Sequence, residues 1–310
     1  MPPGGDSGEV GLERIVAAQA AVSAACTRTP ALRLPAIDEL LGGTIALKAE
    51  SLQRTGSFKA RGVTVKLAAL GDECSRGVVA GTAGNHGRAL AWAARRHGVP
   101  CELFVPEDAP ISKTEPAAQL GAEVHRCEAP VDDCVVMAKE RAASAGLAFV
   151  HPFDDRDVIA GQGSVGLELL EDVPDLARVL VPLGGGGLAS GIAIAVKSQR
   201  PQVEVIGVQV ESWASYAGSR HNGPQETRQR DTVADGIAIK HPGEITLPLV
   251  ERWLDDVVVV SDDEVGDAMG ALLADAKLVI EGAGAVGVAA LAVGRASPAR
   301  GGTTVVVLSG

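Results

Sequence analysis

The apolar positions of this chain fall mainly in short continuous runs rich in Val, Ile and Leu. Such runs are "TIALKAE" (44–50), "GVVAGT" (77–82), "CELFVP" (101–106), "AFVHPF" (148–153), "RVLVPL" (178–183), "EVIGVQV" (204–210), "DVVVVS" (256–261) and "TTVVVLS" (303–309). Between them lie stretches with helical character: an Ala-rich one at 11–25, one at 85–98 that closes on Gly98-Val99-Pro100, one leading to the expected strand within "LGAEVHRC" (120–127), and one at about 131–145. Further helices are expected in "GGGGLASGIAIAVKS" (184–198), from 262 onward and over 283–294, while the first ten residues read as a loose tail. Runs that are apolar throughout suit strands buried on both faces, and their alternation with helices predicts an α/β chain with parallel sheets. About four βα-type units fall between residue 53 and Phe153. This predicts a small mobile domain at 53–153, with 1–52 and 154–310 forming the large one. In doubly wound sheets ligands sit at the carboxyl ends of strands, so a crevice between two such sheets is the expected binding place.

Composition narrows the picture. The chain has 310 residues, 46% hydrophobic and 22% charged, the balance of a globular protein. Only 3% are aromatic, so the core must be built from Ala, Val, Leu and Ile. The net charge is -11 with no basic block, which argues against a nucleic-acid partner. An anion must therefore be held locally, by backbone N–H groups and helix ends. The five cysteines are scattered and odd in number, so no disulfide framework or zinc site is expected, and the cytoplasm is the natural setting. No signal peptide and no membrane span is expected.

Three stretches carry candidate chemistry. In "LGGGGLASG" (183–191) a buried strand feeds four glycines and then a helix. Glycines can turn their N–H groups toward one point, and the helix adds its positive end, which makes a cradle for a phosphate. Gly184, Gly186 and Ala189 also satisfy the G-x-G-x-x-G/A spacing, with Glu211 after the next strand, so a dinucleotide site is a competing reading. In "GTAGNHG" (81–87) a hydroxyl, a glycine and an amide precede a helix, an arrangement suited to a carboxylate or to simple capping. In "TGSFKARG" (55–62) Lys59 stands just inside a helix start beside Phe58. Desolvation and a nearby positive dipole lower an amine's pKa, which favours attack on a carbonyl, although most single lysines are solvated. Ser57 with Lys59 could suggest a hydrolase, but no oxyanion motif accompanies them. Ser261 to Glu264 reads as a capping box in preference to an acidic metal cluster. The histidines show no metal-ligand spacing.

A lysine nucleophile, a phosphate cup and a carboxylate loop together describe pyridoxal phosphate holding an amino acid. The chain indeed resembles the threonine ammonia-lyases (threonine dehydratases) of the pyridoxal-phosphate fold type II family, relatives of serine racemase. The likeness rests on "LQRTGSFKARG", "TAGNHG", "HPFDDRDVIAGQGSVGLE", "VPLGGGGLASGIA", "ADGIAIKHPGEIT", "KLVIEGAGAVGVAAL" and "VVVLSG", in order along the chain. It implies a tryptophan synthase β-like fold of two doubly wound α/β domains with the cofactor in the cleft between them. It also implies that Lys59 is the Schiff-base lysine and catalytic base, that Phe58 packs beside the ring, and that Asn85 bonds the ring hydroxyl. Gly184, Gly185, Gly186, Gly187 and Leu188 would bind the phosphate, and Ser309 would face the pyridine nitrogen. Thr82, Ala83, Gly84, Asn85 and His86 would grip the substrate carboxylate, with Gly236 and Glu281 lining the pocket.

The resemblance implies loss of water from L-threonine, and more weakly from L-serine, giving 2-oxobutanoate or pyruvate and ammonia. A homo-oligomer, dimer or tetramer, is implied as well, with a place in isoleucine biosynthesis or threonine catabolism. Two departures refine it. Ala83 stands where racemising relatives place a serine, which favours elimination over racemisation. Gln209 stands where the racemase branch places a carboxylate for a divalent cation, so no metal site is expected. A dehydratase for another β-hydroxy amino acid, of hydroxyaspartate or hydroxyectoine-pathway type, a serine racemase-like enzyme and a dinucleotide-binding protein remain as alternatives.

Overall fold

The computed structural model describes residues 9–82, 84–217 and 231–310. The chain begins with α1 (Leu12–Ala25), β1 (Ala31–Leu32), α2 (Pro35–Leu41), β2 (Ile45–Ala49) and α3 (Lys59–Leu70). A run of four βα steps follows: β3 (Val78–Gly81), α4 (Asn85–His97), β4 (Cys101–Pro106), α5 (Ile111–Gln119), β5 (Glu123–Cys127), α6 (Val131–Ala145), β6 (Ala148–Phe149) and α7 (Arg156–Asp172). The rest comprises β7 (Leu176–Pro182), α8 (Gly187–Lys197), β8 (Glu204–Val210), α9 (Thr246–Trp253), β9 (Asp256–Val260), α10 (Asp262–Ala271), α11 (Gly282–Ala292) and β10 (Thr303–Leu308).

The strands form two sheets, ordered β1-β2-β10-β7-β8-β9 and β5-β4-β3-β6. Apart from the short antiparallel β1–β2 pair, every pairing is parallel. All strands of the second sheet lie inside 53–153.

The larger sheet is covered on both faces, and the side-chain period of two decides which residue goes where. On β10, Val306 and Leu308 pack with Ala285, Val286 and Ala289 of α11, whereas Val305 and Val307 pack with Val165 of α7 and Ile192 of α8. Both faces being apolar explains why the strands read as unbroken hydrophobic runs. As the composition requires, these clusters are almost wholly Ala, Val, Leu and Ile.

Helix α7 is absent from the sequence-based expectation. It is buried along nearly its whole length and carries Gly161, Gly163 and Gly166, so neither amphipathic period nor propensity advertises it. Packing requires those glycines. An added Cβ would lie 2.7 Å from the Arg61 carbonyl oxygen at Gly161, 2.7 Å from Ile15 at Gly163, and 2.8 Å from Ala195 at Gly166. Helices α1, α3 and α8 thus approach α7 closely. The strand expected over 148–153 is limited to Ala148–Phe149, and the chain then runs through Pro152, which has no N–H to donate to a ladder. Of the expected tail only Glu9 and Val10 are described, and Val10 is buried beside the α1 core.

Candidate active site

A cavity of about 500 Å³ opens where the two sheets present the carboxyl ends of their strands. The smaller sheet contributes Gly81 and Thr82 after β3, and the larger one contributes Pro182 and Gly184 after β7 and Ser309 after β10. Phe58, Lys59, Gly84, Asn85, His86, Gly185, Gly186, Gly187, Leu188, Gly236 and Glu281 complete the set expected from the sequence. Ala83 lies outside the described residues. Every other expected site residue lines this one cavity.

Lys59 opens α3, and its Nζ donates to the Pro152 carbonyl oxygen at 2.7 Å and lies 5.1 Å from the Phe58 ring centroid. The amine is desolvated by its surroundings, and this lowers its pKa from 10.5 to about 8. No carboxylate pairs with it among the described residues. Lys59 is therefore a lysine that sheds its proton well below the ordinary lysine range. Ser57 is fully buried with its hydroxyl unpartnered, so no serine–lysine hydrolase pair forms.

The glycine turn follows β7. Gly186 has φ +88, a left-handed conformation, and serves as N-cap of α8, which no side chain caps. A Cβ at Gly185 would lie 2.1 Å from the Phe153 ring, and one at Gly186 would lie 2.5 Å from the Tyr216 hydroxyl oxygen. Tyr216 in turn donates to the Gly185 carbonyl oxygen at 3.0 Å. The turn is thereby pinned from behind, leaving an uncapped helix end and glycine N–H groups for an anion. These residues suit the phosphate of pyridoxal phosphate, and Lys59 opens on the same cavity for its aldehyde.

Among the described residues no side chain caps α4 either, so Thr82 and Asn85 do not act as ordinary caps. Thr82 is buried, and its hydroxyl accepts only a long bond from Gly84 N–H at 3.4 Å. Asn85 Nδ2 donates to Glu281 Oε2 at 2.7 Å, a bond between the small-sheet side and α11. His86 is held neutral, its pKa lowered to about 3 by burial and by Lys59, with a ring nitrogen 3.0 Å from the Val150 oxygen. Ser309 is buried, and its carbonyl oxygen accepts from Phe58 N–H at 3.1 Å, tying β10 to the start of α3.

Several lining residues went unassigned from sequence. His151, Phe153 and Gln162 belong to "HPFDDRDVIAGQGSVGLE", a segment recognisable as a motif but without a role for each position. Asp154 accepts three N–H bonds at 3.0 Å from Glu244, Ile245 and Thr246 and so holds the entry to α9 beside the cup. Lys113 of α5 pairs with Asp235 next to Gly236, a second link across the mouth. By contrast, Glu211 is exposed and does not line the cavity, so the dinucleotide arrangement lacks its acid. Gln209 is buried away from the cavity, its amide donating to the Leu183 and Trp213 oxygens at 3.2 and 3.3 Å. Ser261 and Glu264 form the expected capping box. Among the described residues Glu102, Glu123 and His125 bring three ligand atoms within 4.8 Å, away from the cavity, and Arg141 already binds Glu102 through two bonds.

Residues 22–310 match the family described as pyridoxal-phosphate dependent enzyme. The chain belongs to that family. It is 46% identical over 282 residues to the L-threonine ammonia-lyase of Thermotoga maritima, covering 90% of this chain and 70% of that protein. It is 41% identical to a catabolic L-threonine dehydratase of Escherichia coli K12, covering 92% and 88% respectively. Among solved structures, a threonine deaminase from T.th. superposes with a TM-score of 0.90 at 36% identity, covering 97% of each chain. Maize serine racemase superposes with a TM-score of 0.92 at 33% identity, covering 97% of this chain and 93% of that one. This pyridoxal-phosphate enzyme has the fold type II architecture of those structures, with its cavity where the two sheets meet.

Proposed function

We propose that this enzyme removes water from L-threonine, and more slowly from L-serine, giving 2-oxobutanoate or pyruvate and ammonia. One observation carries the reading: the lowered-pKa amine of Lys59 and the uncapped glycine turn 184–187 line the same cavity. The names of the similar proteins support threonine as substrate.

Pyridoxal phosphate, when bound, supplies an electron sink for negative charge at the substrate Cα. Lys59 would hold its aldehyde and, once freed, take the Cα proton. With a pKa of about 8, a working share of that amine is neutral at physiological pH. Gly184 to Gly187 and Leu188 would hold the phosphate, Asn85 the ring hydroxyl, Phe58 one ring flank, and the neutral Ser309 hydroxyl the ring nitrogen. The 82–86 loop would orient the substrate carboxylate at the uncapped start of α4. Loss of the Cα proton and β-hydroxyl leaves an enamine that hydrolyses to the 2-oxo acid and ammonia. We assign residues 53–153 to a small unit that closes the cleft, in keeping with the Asn85–Glu281 and Lys113–Asp235 links across it.

A second reading, an acidic β-hydroxy amino acid as substrate, has one observation in its favour. Arg88 lines the cavity and makes no side-chain hydrogen bond or ion pair among the described residues. Oxo-acid release from L-threonine, L-serine and 3-hydroxyaspartate separates the two readings: the proposal expects threonine to be fastest, and hydroxyaspartate in first place would overturn it. The same assay with L-serine should yield pyruvate faster than D-serine. Treatment with borohydride should abolish the visible band of the holoenzyme, and Lys59→Ala should lack that band.

A further inference from the structure

Arg61 lies two positions after Lys59 in the first turn of α3. Side chains two apart leave a helix about 200° apart, so when Lys59 faces the cavity, Arg61 points away from it. There it is fully buried in a cluster with Lys48, Glu50 and Glu168, at whose edge Asp172 lies 3.5 Å from Lys48 Nζ.

All five guanidinium N–H groups are used. Nε and Nη2 donate to the two Glu50 oxygens at 2.8 Å each. Nη1 and Nη2 donate to the two Glu168 oxygens at 2.7 and 2.9 Å, and Nη1 also donates to Ser164 Oγ at 3.1 Å. Lys48 Nζ completes the cluster through Glu168 Oε2 at 2.6 Å and the Thr29 carbonyl oxygen at 2.7 Å. Glu50 follows β2 and Glu168 lies on α7, so a planar fork joins α3 to two elements of the large-sheet side.

Such a cluster is a poor way to gain stability, because desolvation offsets most of the attraction and an apolar replacement often does as well. What a doubly bidentate fork supplies is direction. No side chain caps α3, so its rotation must be set by other contacts. A turn of about 10° moves an atom ~8 Å from the helix axis by about 1.5 Å. A misplacement of about 1 Å can cost roughly a hundredfold in rate.

We propose that Arg61 is a positioning residue whose two carboxylate partners fix the rotation of α3 and thereby aim Lys59 at the cofactor aldehyde. The proposal rests on the reading of Lys59 as the linking amine. It concerns the covalent bond and leaves phosphate binding to the glycine turn.

Two ligands separate these contributions. Pyridoxal phosphate can bond to Lys59, whereas pyridoxamine phosphate has no aldehyde and cannot. Dissociation constants of both are measured on Arg61→Lys, which keeps the charge and loses the fork, and on Lys48→Met, which alters the cluster away from α3. Arg61→Lys should weaken pyridoxal phosphate at least tenfold and pyridoxamine phosphate less than twofold. Lys48→Met should lower Tm and leave the ratio of the two constants unchanged. If Arg61→Lys is insoluble, Ser164→Ala, which removes one acceptor from Nη1, should shift the ratio at least threefold in the same direction. An unchanged ratio in the soluble variant, a parallel weakening of both ligands, or an equal shift in Lys48→Met overturns the proposal. Failure of the Lys59 reading itself would look different, since the wild-type protein would then lack a borohydride-sensitive band.

Discussion

Asn85 and Glu281 lie 196 positions apart in sequence and share a bond of 2.7 Å, from the amide nitrogen of one to a carboxylate oxygen of the other. Asn85 opens α4 beside the small sheet, and Glu281 is the N-cap of α11 against the large one. Glu281 therefore orients the amide expected to meet the cofactor ring, in addition to lining the pocket. A hydrogen bond to a charged partner contributes about 1.5–3 kcal/mol. Glu281→Ala should consequently lower kcat/KM about tenfold or more, with secondary structure unchanged by circular dichroism. Glu281→Gln, which keeps an acceptor, should lose less.

The amine of Lys59 should react with aldehydes in a pH range set by its pKa of about 8 and not by the ordinary 10.5. The neutral form is the nucleophile, so capture of pyridoxal phosphate by the cofactor-free protein should accelerate as pH rises and level off above pH 8. At pH 7 such an amine is neutral about 300 times more often than an ordinary lysine. Between pH 8 and 10.5 the unfolded chain holds a proton that the folded amine has lost, so this group's contribution to stability increases with pH there. Stopped-flow absorbance gives the rate profile, and a half-point above pH 9.5 would contradict the assignment.

Gly185→Ala should damage the cup through sterics alone. The new methyl would lie 2.1 Å from the Phe153 ring, which itself flanks the cavity. Overpacking of this kind costs about 1–3 kcal/mol. The expected outcome is a lower Tm and at least a tenfold weaker hold on pyridoxamine phosphate, measured by equilibrium dialysis. Because that ligand cannot bond to Lys59, the loss reports on the phosphate cup.

Ser261→Ala supplies a contrasting case far from the chemistry. Ser261 N–H donates to Glu264 Oε2 at 2.7 Å, and the Ser261 hydroxyl oxygen accepts from Glu264 N–H at 3.3 Å. Loss of the cap should reduce stability by about 0.5–2 kcal/mol. Urea unfolding should register that change while kcat and KM for threonine stay within twofold of wild type.

Much of this protein is determined locally and is therefore legible in the chain. Apolar runs that need cover on both faces specify parallel strands, four glycines between a buried strand and a helix specify an anion-binding turn, and Ser261 with Glu264 specifies a helix start. Lys59 and the 81–87 loop could be named because their chemistry follows from residue type and near neighbours. What only the tertiary structure decided is everything that depends on elements distant in sequence. Helix α7 has no amphipathic face because three other helices and a sheet enclose it, so its pattern vanishes. The lowered pKa of Lys59 comes from burial in the folded chain, where its amine meets the carbonyl oxygen of Pro152, 93 positions away. The partnership of Asn85 with Glu281 exists because the two sheets meet across the cavity, and that of Arg61 with Glu50 and Glu168 because α3 packs against α7 and the end of β2. Local sequence fixes the dihedral angles and periodicity of each segment, but contact between segments is set by how their buried faces pack together, and no single segment encodes that.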